Sequence, residues 1–152
     1  MFDLSLVESK DNHTYLNMKE QPNRLIKAAF KFIEFKDIRL VDFSSTGFHD
    51  ENMRQLASYL SKNPNLRSIY LDDNIFTDDG MKSICRELAD NTKLAQISIM
   101  GCQNVNEEGL NYLNNVISKE NTVLFQIDLD FETFDKEIAQ NIIDESALNR
   151  DI

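Results

Sequence analysis

The chain has 152 residues, enough for one domain with a sizeable core, and its 41% hydrophobic and 28% charged content is ordinary globular usage that excludes wholesale disorder. Sixteen basic against 26 acidic residues give a net charge of −10. A surface that negative repels phosphate backbones and anionic lipid, which turns attention from nucleic acid and membranes towards a protein partner with a basic face.

In chain order, residues 1–20 show little pattern beyond Tyr15 and Leu16, and the N-terminus, with Asp3 and no long apolar run, does not read as a secretory signal. A helix is expected over about 22–34, where Leu25, Ala28 and Phe32 stand 28 residues before Met53, Leu56 and Leu60. From Ile38 a frame begins to recur. Ile38-x-x-Val41-x-Phe43-x-x-Thr46-x-Phe48 is followed, 28 residues on, by Leu66-x-x-Ile69-x-Leu71-x-x-Asn74-x-Phe76. Leu94-x-x-Ile97-x-Ile99-x-x-Cys102 comes next, with Val105 after one inserted residue, and then Leu124-x-x-Ile127-x-Leu129-x-x-Glu132-x-Phe134.

The alternation in each frame is that of a strand, predicting strands near 39–43, 67–71, 95–99 and 125–129. Behind each frame the spacing changes to three and four. Met53, Leu56 and Leu60, then Met81, Ile84 and Leu88, then Leu110, Leu113 and Ile117 each mark the apolar face of a helix. Asn63, Asn91 and Asn121 follow these helices. Thr77 and Asn106 are good N-cap residues. Helices are predicted near 50–61, 78–89 and 107–118, and Ile138, Ile142, Ile143 and Ala147 add one near 135–146. A strand–turn–helix unit cannot bury its apolar face alone, so the units must stack.

These motifs resemble leucine-rich repeats of the ribonuclease-inhibitor type, with 28-residue units and the helix-start phrase Thr77-Asp78-Asp79-Gly80-Met81. The stretch Cys102-Gln103-Asn104-Val105-Asn106-Glu107-Glu108-Gly109-Leu110 resembles the cysteine-containing variant found in F-box adaptors, and the chain's size resembles the repeat domain of tropomodulin. The resemblance covers residues 38 to about 134. It implies an α/β leucine-rich-repeat solenoid of about four units, with a parallel concave sheet and outer helices. The expected organisation is one domain: an N-terminal cap over 1–37, repeats over 38–134, and a C-terminal cap helix and tail over 135–152.

Catalytic chemistry has little to stand on. His13 and His49 lack a second ligand at metal spacing, and four glycines form no phosphate-binding loop, so neither metal nor cofactor is expected. Cys85 reads as packing, and Cys102, at the place of Thr46 and Asn74, as a ladder residue that satisfies backbone groups at the strand-to-turn corner. Glu132, longer and charged, breaks that ladder in the fourth unit. Two cysteines in patterned segments give no disulfide framework, no ~20-residue apolar span is present, and cytoplasm is the expected location.

The informative side chains alternate out of the core. Asp42, Tyr70, Asp72, Asp73, Met100, Asp128, Asp130 and Phe131 make the candidate partner-binding face: an acidic strip with apolar anchors. Four strands give a face only about 20 Å wide, which points to a subunit of a larger assembly that uses other surfaces too. The expected role is a non-catalytic adaptor or scaffold subunit of a cytosolic assembly, the cytoskeleton included. The alternative is a regulatory inhibitor or GTPase-regulating module. A competing binding site is the C-terminal end, where Phe125, Phe131 and Phe134 lie close in sequence.

Overall fold

A computed structural model describes residues 3–10, 13–33, 37–62, 65–119 and 123–151. The strands are β1 (Val7–Lys10), β2 (His13–Asn17), β3 (Ile38–Asp42), β4 (Ser68–Tyr70), β5 (Gln96–Ser98) and β6 (Gln126–Asp128). The helices are α1 (Ile26–Ile33), α2 (Asp50–Lys62), α3 (Asp78–Asp90), α4 (Glu107–Lys119) and α5 (Lys136–Leu148). One sheet runs β1-β2-β3-β4-β5-β6, with β1 antiparallel to β2 and every later pair parallel. Strand, turn and helix alternate from β2 onward, and neighbouring helices pack side by side from α2 to α5. The residues predicted as Asn63, Asn121 and the last position of the first helix, Glu34, lie outside the described residues.

Register follows the 28-residue repeat: Ile69 pairs with Ile97 on one side and Val41 on the other, and Ile97 with Ile127. Val41, Phe43, Ile69, Leu71, Ile97 and Ile99 are fully buried between sheet and helices. On the helices, Met53, Leu56, Met81, Ile84, Leu88 and Leu113 complete the core as the three-and-four spacing requires.

Two sequence expectations need correction at the N-terminus. Residues 1–20 carry two strands rather than none, and β2 is the strand half of a further unit. Leu16 and Met18 are fully buried, Leu16 pairs with Val41, and the spacing is 25 residues instead of 28. The turn that follows is also the repeat's own. Met18 and Glu20 donate their N–H groups to Asp42 O and Ser44 O, as Phe43 and Ser45 do to Tyr70 O and Asp72 O one unit on. The first helix, in turn, buries Ile26, Ala29, Phe30 and Ile33, while Leu25, Ala28 and Phe32 are only partly covered. Its offset from α2 is 27 residues, so the face assigned from a strict 28 is rotated by one position. The sheet is therefore six strands and, at ~4.8 Å per strand, about 29 Å across rather than 20 Å.

Candidate protein-binding face

Two ladders of side chains hold the units in register and thereby position the exposed face. At the strand-to-turn corner, buried Asn74 accepts from Thr46 N (3.0 Å) and Phe48 N (2.9 Å) and donates to Phe43 O and Leu71 O, both at 3.0 Å. Thr46 Oγ1 donates to Phe43 O at 2.7 Å, and the Cys102 thiol to Leu71 O at 3.2 Å. Glu132 is exposed and takes no part; at that corner Asp130 Oδ2 accepts from Thr133 N instead. Burial pushes the Cys102 thiol up to about 12, with the carboxylates of Asp72, Asp73 and Asp130 adding to it against a hydrogen bond from the Asn74 backbone. Burial alone takes Cys85 to about 12 as well. Both thiols stay protonated, which suits packing and donation and not nucleophilic attack.

The second ladder was not legible beforehand. Asp50, first residue of α2, accepts at Oδ1 from Thr77 N (2.7 Å) and Gly80 N (3.1 Å), and at Oδ2 from Thr77 Oγ1 (2.7 Å). Thr77 in turn caps α3, accepting from Asp79 N. Asp78 repeats the arrangement one unit later, with Asn106 N at 2.8 Å and Gly109 N at 3.0 Å. Asn106 thus turns its side chain towards Asp78. Each carboxylate serves orphan N–H groups of the next helix and places negative charge at its positive end. The glycines are required for this approach: a Cβ at Gly80 would stand 2.6 Å from Asp50 Oδ1, and one at Gly109 would collide with Asp78 Oδ1. Asn23 and Asn52, which stand at the corresponding places of the first junction, meet side chain to side chain at 2.8 Å. The signal in the sequence is the recurrence of Asp at the start of one helix with Gly in the first turn of the next.

The eight candidate residues all lie along the strands or the turns after them. Asp72 is half-buried and accepts from Ser98 Oγ (2.6 Å) and Met100 N (2.9 Å). Burial raises its carboxyl above the ordinary value, and the nearby Asp42 and Asp73 add to this, while the two hydrogen bonds pull the other way. Asp130 Oδ1 accepts from Gly101 N at 2.8 Å. Burial would raise Asp130 too, but its hydrogen bonds from Thr133 and Gly101 outweigh that and its carboxyl lies below the ordinary range. Asp42 accepts from Ser44 N, and Asp128 from Gln96 Nε2 at 3.0 Å. Gln96 also accepts from Tyr70 OH at 3.4 Å and Ser68 Oγ at 3.3 Å, so one polar network crosses β4, β5 and β6.

Asp72 and Asp130 are thus turn-holding groups as well as surface acids. Ser98, which stands between the core residues Ile97 and Ile99 at the end of β5, is itself buried under its bond to Asp72. The most available groups are Asp73, exposed at φ 54°, Met100 and Phe131, the last two 41% and 46% exposed. The Lys136 ammonium stands 5.9 Å from the Phe131 ring centroid. At the C-terminal end Phe134 is buried, and Phe125 is partly covered by the Arg150 guanidinium at 5.2 Å. Among the described residues no group of three or more His, Cys, Asp or Glu is placed to hold a metal ion, and no helix is long and apolar enough to cross a membrane.

An α/β domain of stacked strand–turn–helix units, with a mostly parallel six-stranded sheet, is the architecture of tropomodulin-like leucine-rich-repeat domains. The solved structure of leiomodin-1 actin-binding site 2 matches it with a TM-score of 0.79 over 90% of this chain and 80% of that one, at 20% identity. The tropomodulin C-terminal domain of Caenorhabditis elegans matches with a TM-score of 0.72 over 90% of this chain and 84% of that one, at 15% identity. No family model and no curated protein matches the sequence.

Proposed function

We propose that this domain is a non-catalytic cytoskeletal interaction module that binds actin. The observation that carries the reading is the shared fold with a structure described as an actin-binding site, over nine-tenths of the chain. The repeats are of the ribonuclease-inhibitor-like, cysteine-containing type, supported by the 28-residue register and the Cys102 ladder bond. The chain works as one domain, in the cytoplasm, as an adaptor or scaffold subunit.

Its contact strip is the sheet face. Asp42, Asp73 and Asp128 steer a basic segment of the partner, Tyr70, Met100 and Phe131 supply apolar anchors, and Asp72 and Asp130 add charge while holding the turns. Co-sedimentation with actin filaments and titration of labelled actin monomers test the partner. Binding to neither form overturns the actin reading. In either assay, neutralising Asp42, Asp73 and Asp128 together is expected to slow association and flatten its salt dependence, whereas Tyr70→Ala speeds dissociation. An unchanged on-rate and salt slope, with binding abolished by Phe131→Ala, would move the site to the C-terminal end.

A further inference from the structure

The helical side of the domain carries a feature of opposite charge. Between α1 and α2 runs a groove of about 260 Å³ floored by Phe30 and Tyr59, whose ring centroids are 6.1 Å apart. Lys27, Lys31 and Lys62 rim it, with Gln55 and Ser58 between them, and among the described residues its lining includes no carboxylate. In a chain of net charge −10 this is a local reversal of sign.

The placement of the lysines works against the helix that bears two of them. Lys27 and Lys31 are one turn apart on α1, where like charges repel. Lys27 also stands in the first turn, the end at which the helix dipole disfavours a cation. Neither they nor Lys62 forms an ion pair among the described residues; the ion pairs there are Arg39 with Asp37 and Arg54 with Glu51. Lys31 and Lys62 each stand in the last turn of their helix, at its negative end, which leaves Lys27 as the one of the three whose position the helix dipole opposes. Three ammonium groups, with no ion pair among the described residues, around an aromatic floor are complementary to carboxylates spaced about an apolar side chain.

We propose that the α1–α2 groove docks an acidic, amphipathic peptide segment of a protein partner. The ammonium groups take its carboxylates, and the Phe30–Tyr59 floor takes an intervening apolar side chain. The groove lies on the helical layer and the acidic strip on the sheet, so the two sites can be filled at once by segments of opposite charge. Such an arrangement suits a scaffold, but the groove stands on its own residues and does not depend on the actin reading.

The probe is a short fluorescent peptide of glutamates with leucine or phenylalanine every third or fourth position, titrated against the full chain and followed by anisotropy. Saturable binding that weakens from low to physiological salt is expected, with a loss of about tenfold or more in the triple variant Lys27→Glu, Lys31→Glu, Lys62→Glu. These side chains are exposed, and an unchanged thermal melt confirms that the variant is folded. A charge-matched control, Lys82→Glu, Arg86→Glu, Lys119→Glu, should retain binding, as should the Asp42, Asp73, Asp128 variant. No binding to wild type overturns the proposal. So does an equal loss in the charge-matched control, which would mark net-charge attraction alone. Capture by phosphatidylserine vesicles, lost in the groove variant while the peptide fails to bind, would overturn it in favour of a lipid surface.

Discussion

The interior units and the two ends solve the same problem by different means. In the interior, each unit satisfies the next: Asn74 closes the corner of its neighbour, and Asp50 and Asp78 cap α3 and α4 from one unit away. At the two edges of the described sheet, local devices take over. The N-terminal edge is a hairpin, β1 folded back antiparallel on β2. The C-terminal helix is capped by its own Asp135, which accepts from Ile138 N at 3.0 Å, and Asn149 reaches back to Leu124 O at 2.8 Å. Repetition is therefore a device for sharing backbone satisfaction between neighbours, and it fails in sequence at the same places where it fails in structure.

The largest expected effect sits in the interior corner. Asn74→Ala removes all four of that side chain's bonds to buried main-chain groups and should cost about 3–5 kcal/mol, since orphaned buried polar groups cost ~1–3 kcal/mol each and water can partly relax into the gap. Leu71→Ala, at a fully buried position, should cost about 2–5 kcal/mol. Glu132→Ala, at the equivalent corner of the last unit but exposed, should lie within about 0.5 kcal/mol of wild type. Urea midpoints decide it. A comparable loss for Glu132→Ala would extend the ladder to the end and erase the contrast.

Most of the architecture was readable because burial repeats. Apolar residues at 41, 43, 69, 71, 97 and 99 face the core in every interior unit, and the predicted strands and helices fall within a few residues of those observed. The N-terminal unit was hidden because its spacing is 25 residues in the strand and 27 in the helix, so Leu16 and Met18 fell off the 28-residue frame. The candidate face was legible as a row of outward positions. What side-chain alternation could not show is which acids are already employed. Asp72 and Asp130 hold turns through residues 26 to 29 positions away, contacts that only the stacking brings together.

A smaller effect distinguishes shared from self-made helix caps. Asp78→Ala strips the acceptor from Asn106 N and Gly109 N and should cost about 1–2 kcal/mol, similar to Asp135→Ala at the terminal helix. Coupling separates them. Gly109→Ala should destabilise in the wild type, where the new methyl meets Asp78, and do so by less once Asp78 is alanine. A double-mutant cycle with a coupling energy near zero would show that the glycine is kept for another reason. Paired with Asp135→Ala, the same Gly109→Ala change should be additive, because those sites share no partner.

The smallest effect is one of sign, between a turn acid of the second unit and one of the last. Asp72 has a folded-state carboxyl raised above the unfolded value of 3.8, because burial outweighs its two hydrogen bonds. Its folded form holds the proton more tightly than the unfolded chain, so stability falls as pH rises from about 3.8 through the raised value. Asp130 has a folded carboxyl below 3.8, so its contribution is present above that pH and disappears as pH falls through the lowered value. At neutral pH Asp72→Asn should leave stability unchanged or slightly higher, since the amide oxygen can still accept from Ser98 and Met100. Asp130→Asn should lower it, and the gap to wild type should close on acidification below the folded carboxyl's range. Because both side chains are partly exposed, solvent screening keeps each difference small, and chemical denaturation must be repeated at several pH values to resolve them. If Asp72→Asn instead destabilises at neutral pH with a gap that closes in acid, the charge on Asp72 is holding its turn as Asp130 does. The interior and terminal corners would then share one electrostatic logic despite their different ladders.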